Sequence, residues 1–146
     1  WSAMGGLGVP AGDLANTSKL GFFAEAGAEW KLSSGWGIRP NLGYNTFAGK
    51  TISTPFGDFP LPAINIIAAG VDFVHRDESK LYVSIGAGYY NIGCTDCTSE
   101  WKPAVRAAIG WALDSEKRFS LEGGFTNIFG SGSNATWVPV GIRVAF

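Results

Sequence analysis

The chain has 146 residues, a net charge of −1 at pH 7, and an unusual richness in Gly (21), Phe (10) and Trp (6). This near-neutral charge gives no electrostatic basis for binding nucleic acid or an anionic membrane surface. Charged residues make up only 16% of the chain, against about 25% in a typical soluble domain, and no uncharged apolar run reaches the roughly 20 residues of a spanning helix.

Eight segments alternate apolar and polar residues with a period of two, which predicts eight β-strands. They are residues 2–9, 19–32, 36–47, 64–74, 80–92, 103–113, 118–129 and 136–146. The connections alternate between short turns and longer loops, a pattern typical of outer-membrane barrels. The sequence therefore predicts one all-β domain, residues 1–146, folded as an eight-stranded antiparallel up-and-down β-barrel.

The second segment shows the two faces most clearly. Leu20, Phe22 and Trp30 alternate with Lys19, Glu25 and Glu29. The polar face of the strands consists mostly of Gly, Ala and Ser with a few charges. Such a face is too small and too weakly charged for a solvated surface, but it fits the narrow interior of an eight-stranded barrel. We therefore expect the apolar face outward, around a polar, Gly-rich and plugged lumen.

Large aromatic residues cluster at two heights of the predicted barrel, where rings favour the headgroup zones of a membrane. The girdle near the short turns comprises Trp30, Trp36, Phe73, Trp111, Phe119 and Phe146. The girdle near the loops comprises Phe22, Tyr44, Tyr89 and Phe125.

Seven charged residues fall on the predicted inner face, where an unpaired charge would be costly. They are Glu25, Glu29, Arg39, Asp72, Arg106, Glu122 and Arg143. We expect an ion-pair network that fills the lumen and fixes the strand register, with a gate or proton path as the functional alternative. Eight strands leave room only for side chains, so the sequence predicts no open, water-filled pore.

The longest connection, residues 48–63, carries Ile52, Phe56, Phe59 and Leu61. Exposed apolar groups on a loop suggest a contact surface. The sequence leaves two alternatives open: these side chains fold over the barrel mouth as a lid, or they bind a partner, a surface or a neighbouring copy.

The two cysteines, Cys94 and Cys97, lie in the third long loop, between residues 93 and 102. A metal site lacks further ligands, and a catalytic dithiol usually opens a helix, which nothing here predicts. We therefore expect a short disulfide that stiffens the loop in an oxidising exterior. No cofactor and no metal are expected.

The sole histidine, His75, is expected in a short turn beside Arg76, Asp77 and Glu78. A catalytic base must lie within hydrogen-bond reach of a nucleophile, and this chain offers no such set near the loops. The sequence therefore predicts a protein without enzymatic activity.

The last predicted strand places Val138, Val140, Ile142 and Val144 on one face and ends on Phe146. Such a strand leaves its edge uncovered, so we expect it to pair with the first strand and close the barrel. The ending resembles the closing strand of bacterial outer-membrane β-barrels, in which a terminal Phe after alternating apolar residues is read by the insertion machinery.

Residues 8–13 (GVPAGD), 43–47 (GYNTF) and 86–90 (GAGYY) are also similar to stretches of many such proteins. Essentially the whole chain resembles a small eight-stranded outer-membrane β-barrel of the OmpX or OmpA-transmembrane-domain kind. The resemblance implies a place in the bacterial outer membrane, with lipid around the apolar belt. The cell-wall anchoring of OmpA is not implied, because we expect no counterpart of its carboxy-terminal cell-wall-binding domain in these 146 residues.

Two functions fit a barrel with its apolar face outward, and a third function would require the apolar face inside and the polar face outside. The first is a surface protein whose loops provide adhesion or protection through a partner that the sequence does not identify. The second is a subunit of an extracellular tube or filament that contacts copies of itself, because Ala24, Ala26 and Ala28 form a small-residue strip that allows close approach. The third is a soluble lipocalin-like carrier.

Overall fold

The computed structural model describes residues 1–76, 79–94, 97–130 and 134–146. Most of these residues lie in long β-strands, as the period-two pattern predicts. The strands are β1 (Ser2–Ala11), β2 (Ser18–Gly27), β3 (Trp30–Lys31), β4 (Trp36–Gly49), β5 (Thr51–Thr54), β6 (Gly57–Pro60), β7 (Ile64–Arg76), β8 (Leu81–Cys94), β9 (Glu100–Ala112), β10 (Phe119–Ile128) and β11 (Ala135–Ala145), and the helix is α1 (Gly12–Thr17).

The barrel closes because its first and last strands pair. β1 and β11 run antiparallel, from Ser2 opposite Ala145 to Ala11 opposite Thr136. β2 and β3 are two parts of one barrel strand, since both pair with β4 and only residues 28–29 separate them. The other strands of the wall pair antiparallel with their neighbours in the chain. The predicted closed eight-stranded barrel is therefore confirmed, and closure gives each strand of the wall two partners.

Apolar side chains cover the outside of this barrel. Leu42 (66%), Ile85 (61%) and Val140 (43%) are exposed on the outer surface, whereas Arg39 and Glu122 are buried inside. The apolar face is thus outward, as predicted. This orientation excludes the soluble lipocalin-like carrier, because such a carrier needs its apolar face inside and a polar face in water.

The lumen contains two layers. Charged side chains fill the part toward the turns, and a buried apolar cluster fills the part toward the loops. The cluster was not anticipated from the sequence: it includes Phe47, Ile66, Ile128 and Trp137, all at most 2% exposed. The rings of Phe47 and Trp137 meet edge to face, with centroids 5.7 Å apart, which is a favourable aromatic geometry.

The helix α1 lies in the first loop, where the sequence predicted no helix. Its Leu14 is buried against the apolar cluster, and Lys50 holds the helix by donating to the carbonyls of Ala15 through its ammonium and of Thr17 through its backbone N–H. A six-residue helix is short, so tertiary contacts rather than intrinsic propensity stabilise it. Among the described residues, no helix is long and apolar enough to cross a membrane.

The connection between residues 48 and 63 forms a hairpin of β5 and β6. Its residues Ile52, Phe56 and Phe59 are exposed, Phe56 to 93%. Ile52, Phe56 and Phe59 therefore do not fold down as the lid that the sequence left open, whereas Leu61, directly after β6, is half-buried. Leu14 of α1 covers the apolar layer instead.

The turn expected at residues 75–79 begins later, because β7 continues through Arg76. His75 is a strand residue whose ring lies 4.6 Å from that of Trp36, and Asp77 and Glu78 are outside the described residues.

In the turn between β9 and β10, Asp114 accepts hydrogen bonds from the backbone N–H groups of Phe119 and Arg118. These bonds lower the pKa of Asp114.

Candidate functional site

The charged layer of the lumen is the most specific side-chain constellation of the barrel. Six of the seven predicted inward charges come together there, each from a different strand: Glu25 (β2), Arg39 (β4), Asp72 (β7), Arg106 (β9), Glu122 (β10) and Arg143 (β11). These six residues form the lumen network.

Asp72 is the acceptor at one side of the lumen network. Its Oδ2 accepts from Arg39 through Nη2 at 2.9 Å and Nε at 3.2 Å, and Oδ1 lies 3.4 Å from Nε of Arg106. Both Arg39 and Asp72 are 0% exposed. Two guanidinium groups thus compensate one fully buried carboxylate.

Glu122 is the acceptor at the other side. Arg143 donates to its Oε2 from Nε at 2.9 Å and to its Oε1 from Nη2 at 3.0 Å. The hydroxyl of Tyr82 donates to Oε2 at 2.6 Å, and Nη1 of Arg39 lies 3.6 Å away. Charge-assisted pairs of this geometry are the strong class of hydrogen bond.

Glu25 joins the two sides, since it accepts from both Arg106 and Arg143. The lumen network therefore contains three carboxylates and three guanidinium groups, and each member contacts at least two charges of opposite sign. Its formal charge is zero. Such balance is what makes six buried charges tolerable in a narrow interior.

Inward glycines create the space that these side chains occupy. A Cβ at Gly86 would come within 2.1 Å of Oδ1 of Asp72, and one at Gly110 within 2.1 Å of the ring of Tyr82. Gly86 separates Asp72 from Arg106 in the paired row, and Gly110 separates Tyr82 from Glu122. Each glycine thus lets two side chains meet across an intervening strand.

Glu29, the seventh predicted charge, does not join the lumen network. It accepts two hydrogen bonds of 2.8 Å from Arg76 near the turns, and the guanidinium of Arg76 lies 4.0 Å above the ring of Tyr82. Arg76 was not among the predicted inward charges, because the predicted strand ended before it and placed it in a turn. The signal was available, since Arg76 continues the inward phase of Asp72 and Val74.

A small cavity lies between the two layers of the lumen. It has a volume of about 20 Å³ and lies beside Glu25, Arg106, Tyr90 and Trp137. This volume accommodates about one water molecule. The arrangement is therefore suited to filling and bracing the barrel.

The structure places the residues of both predicted girdles on the outer surface. Exposed near the turns are Trp30, Trp36, Phe73, Trp111, Phe119 and Phe146, and exposed near the loops are Phe22, Tyr44, Tyr89 and Phe125. All ten rings are available to an apolar medium or its headgroup boundary.

Cys94 is the last residue of β8, and Cys97 lies in the third loop, which follows it. Cys94 and Cys97 form a disulfide across a Cα–Cα distance of 5.1 Å, as the sequence predicts, while Thr95 and Asp96 lie outside the described residues. Within the described part of the chain, no three His, Cys, Asp or Glu residues are grouped as a metal site would require.

The predicted alanine strip lies beside a depression of the outer surface. Ala24 and Ala26 are exposed and Ala28 is half-buried. The first two, together with Ala3, Leu42 and Tyr44, border an open depression of about 390 Å³.

Known structures share this architecture. The N-terminal β-barrel domain of OprF from Pseudomonas aeruginosa matches with a TM-score of 0.65 and 10% identity, over 99% of this chain and 96% of that one. The outer-membrane protein Ail from Yersinia pestis matches with a TM-score of 0.62 and 13% identity, over 99% and 98%. Neisserial surface protein A matches with a TM-score of 0.59 and 14% identity, over 99% and 95%.

The chain has the fold of the small outer-membrane β-barrels. No protein-family model and no curated protein sequence matches it. The likeness of this outer-membrane-type barrel to known proteins therefore rests on its fold alone.

Replacing Asp72 by Asn tests the charge balance of the lumen network. The change leaves Arg39 and Arg106 with one positive charge in excess, and breaking a buried pair in this way costs about 3 to 5 kcal/mol. We expect the free energy of unfolding, measured by urea titration of the barrel in lipid vesicles, to fall by this amount.

Glu116→Gln is the matched control, because Glu116 pairs with Arg118 at the surface and its side chain is 63% exposed. Such a pair contributes less than about 1 kcal/mol. Equal losses in the two variants would contradict the role given to the lumen network.

Proposed function

We propose that this protein resides in the bacterial outer membrane as a non-enzymatic barrel that conducts no solute and presents its loops to the exterior. The observation that carries the proposal is the continuous outer belt of large apolar side chains, bordered by aromatic rings at both ends. Monomeric soluble proteins rarely expose so extensive an apolar surface. A hydrocarbon layer around the belt removes that contact with water.

The loop end supports a role in adhesion or protection. The hairpin of β5 and β6 displays Ile52, Phe56 and Phe59. In the described part of the chain, β5 and β6 pair only with each other. An isolated two-stranded hairpin is marginally stable in water. Contact with a partner outside the cell would bury these apolar groups and stabilise the hairpin.

The lumen network and the apolar layer support a closed barrel. Together they leave a space for about one water between them. We expect purified protein in planar lipid bilayers to show no steady single-channel current, because an ion would have to break buried ion pairs and cross the apolar layer. Steady openings on the order of a nanosiemens, as a water-filled porin lumen would give, would refute the closed barrel.

Cysteine labelling on intact cells tests the location and the orientation. The variant Phe56→Cys places a thiol on the exposed hairpin, and Ser33→Cys places one in the short turn between β3 and β4. A membrane-impermeant maleimide should modify the first variant in intact cells, and the second only after the outer membrane is permeabilised. Modification of Ser33→Cys alone in intact cells would show that the barrel has the opposite orientation. Modification of neither variant in intact cells would contradict a location at the cell surface.

A second candidate function is self-assembly through the alanine strip. The depression beside Ala24 and Ala26 favours it, because a low point on the outer surface can accept a projecting side chain from another copy. Contacts between two different surfaces of identical subunits can continue into a tube or filament.

The variant Ala26→Trp distinguishes this candidate from a lone barrel. Trp would fill the depression and break a contact between copies, while a lipid-facing barrel would keep its fold. If assembly is correct, light scattering should report smaller particles for Ala26→Trp, whereas Ala107→Trp, an exposed position on β9, should leave particle size unchanged. Equal particle sizes in both variants would eliminate assembly through this strip.

A further inference from the structure

A second cavity opens at the loop end of the barrel, beyond the apolar layer. It has a volume of about 380 Å³ and lies between α1 and the loop ends of the strands. This volume falls within the roughly 300 to 1,000 Å³ of typical small-molecule sites. Neither the proposed membrane location nor the closed lumen requires this cavity.

The floor of the cavity is aliphatic. It is formed by Ile64, Ile92 and Ile128 together with Leu14 of α1. Ile64 lies on the inward face of β7, as Ile66 does, and Ile92 lies on the inward face of β8, as Tyr90 does. Their side chains therefore do not contact lipid, yet both are only half-buried. Apolar groups that line a solvent-accessible recess favour an apolar occupant.

The rim of the cavity is polar and carries an excess of negative charge. Glu100 and Lys102 form an ion pair of 3.1 Å. Asp13 accepts a hydrogen bond from the backbone N–H of Asn134 at 3.4 Å, and among the described residues no cationic side chain pairs with it. The three charged groups of the rim therefore sum to −1, and Asp13 supplies the uncompensated charge.

We propose that this cavity binds a small amphipathic organic cation, with an aliphatic body on the isoleucine floor and an ammonium head near Asp13. The floor disfavours a fully polar ligand, because such a ligand would lose hydration without gaining partners. The charge of the rim disfavours an anion with the same aliphatic body. The shared chemistry is therefore that of a short-chain primary amine.

Isoleucine δ-methyl NMR of the full chain folded in lipid nanodiscs tests the proposal, with n-hexylammonium as the probe. The methyl signals of Ile64, Ile92 and Ile128 should shift and saturate. Ile85 and Ile109 face the lipid, so their signals report any partition of the probe into the bilayer. 1-Hexanol and hexanoate, titrated in parallel, isolate the contribution of the head group.

Two variants with matched controls separate the head group from the floor. Asp13→Asn should weaken n-hexylammonium binding about threefold to fivefold, the size of an exposed ion pair, and leave 1-hexanol binding unchanged. Asp58→Asn removes a carboxylate from the hairpin outside the cavity, and it should change neither. Ile92→Trp should fill the cavity and abolish binding of both probes, whereas Ile85→Trp, on the lipid-facing side of the same strand, should not.

Saturable shifts at the three cavity methyls, with the expected loss in Asp13→Asn, would support the site. Absence of saturable shifts there, or shifts that Ile85 and Ile109 reproduce, would overturn it. Equal affinity for the three probes, unaffected by Asp13→Asn, would refute the cationic head group. Folding of each variant is checked independently by the retention of the lipid-facing methyl signals.

Discussion

The narrow interior of an eight-stranded barrel is the constraint on which the structure depends. Eight strands enclose only enough space for side chains, so every inward residue must pack against, pair with or make room for another. The lumen network meets this requirement with three carboxylates and three guanidinium groups of zero total charge. Gly86 and Gly110 provide the space through which those groups reach one another.

The same strands serve two different media. Inward positions alternate with outward Leu, Ile, Val and aromatic residues that would be costly to expose to water. A shift of one residue in β2 or β7 would turn Glu25 or Asp72 outward and Phe22 or Phe73 inward. The ionic layer and the apolar belt therefore reinforce a single register. The loops are freed from this constraint, which explains why α1 and the hairpin of β5 and β6 differ so much from the wall.

Sequence reasoning reached the fold and most of the inner face, but not the contacts between distant segments. It placed six residues of the lumen network on one face, yet it could not choose their partners, because Glu25 and Arg106 lie 81 positions apart. It did not place Arg76 on the inner face, because the predicted strand ended at residue 74, whereas β7 continues through Arg76. It gave no sign that Leu14 would cover the lumen, since a single Leu in a polar loop carries no periodicity.

The sequence by itself determined the eight strands of the barrel wall, their two faces and the closure of the first strand on the last, because period-two alternation reports directly which medium each side chain meets. It did not indicate the separate hairpin of β5 and β6. The tertiary structure alone decided which charges pair, that Phe47 and Trp137 meet edge to face in an apolar layer, and that a cavity remains above that layer. Those features arise where side chains from non-adjacent strands and loops meet, and their distances depend on the stagger of the closed barrel, which no local pattern records.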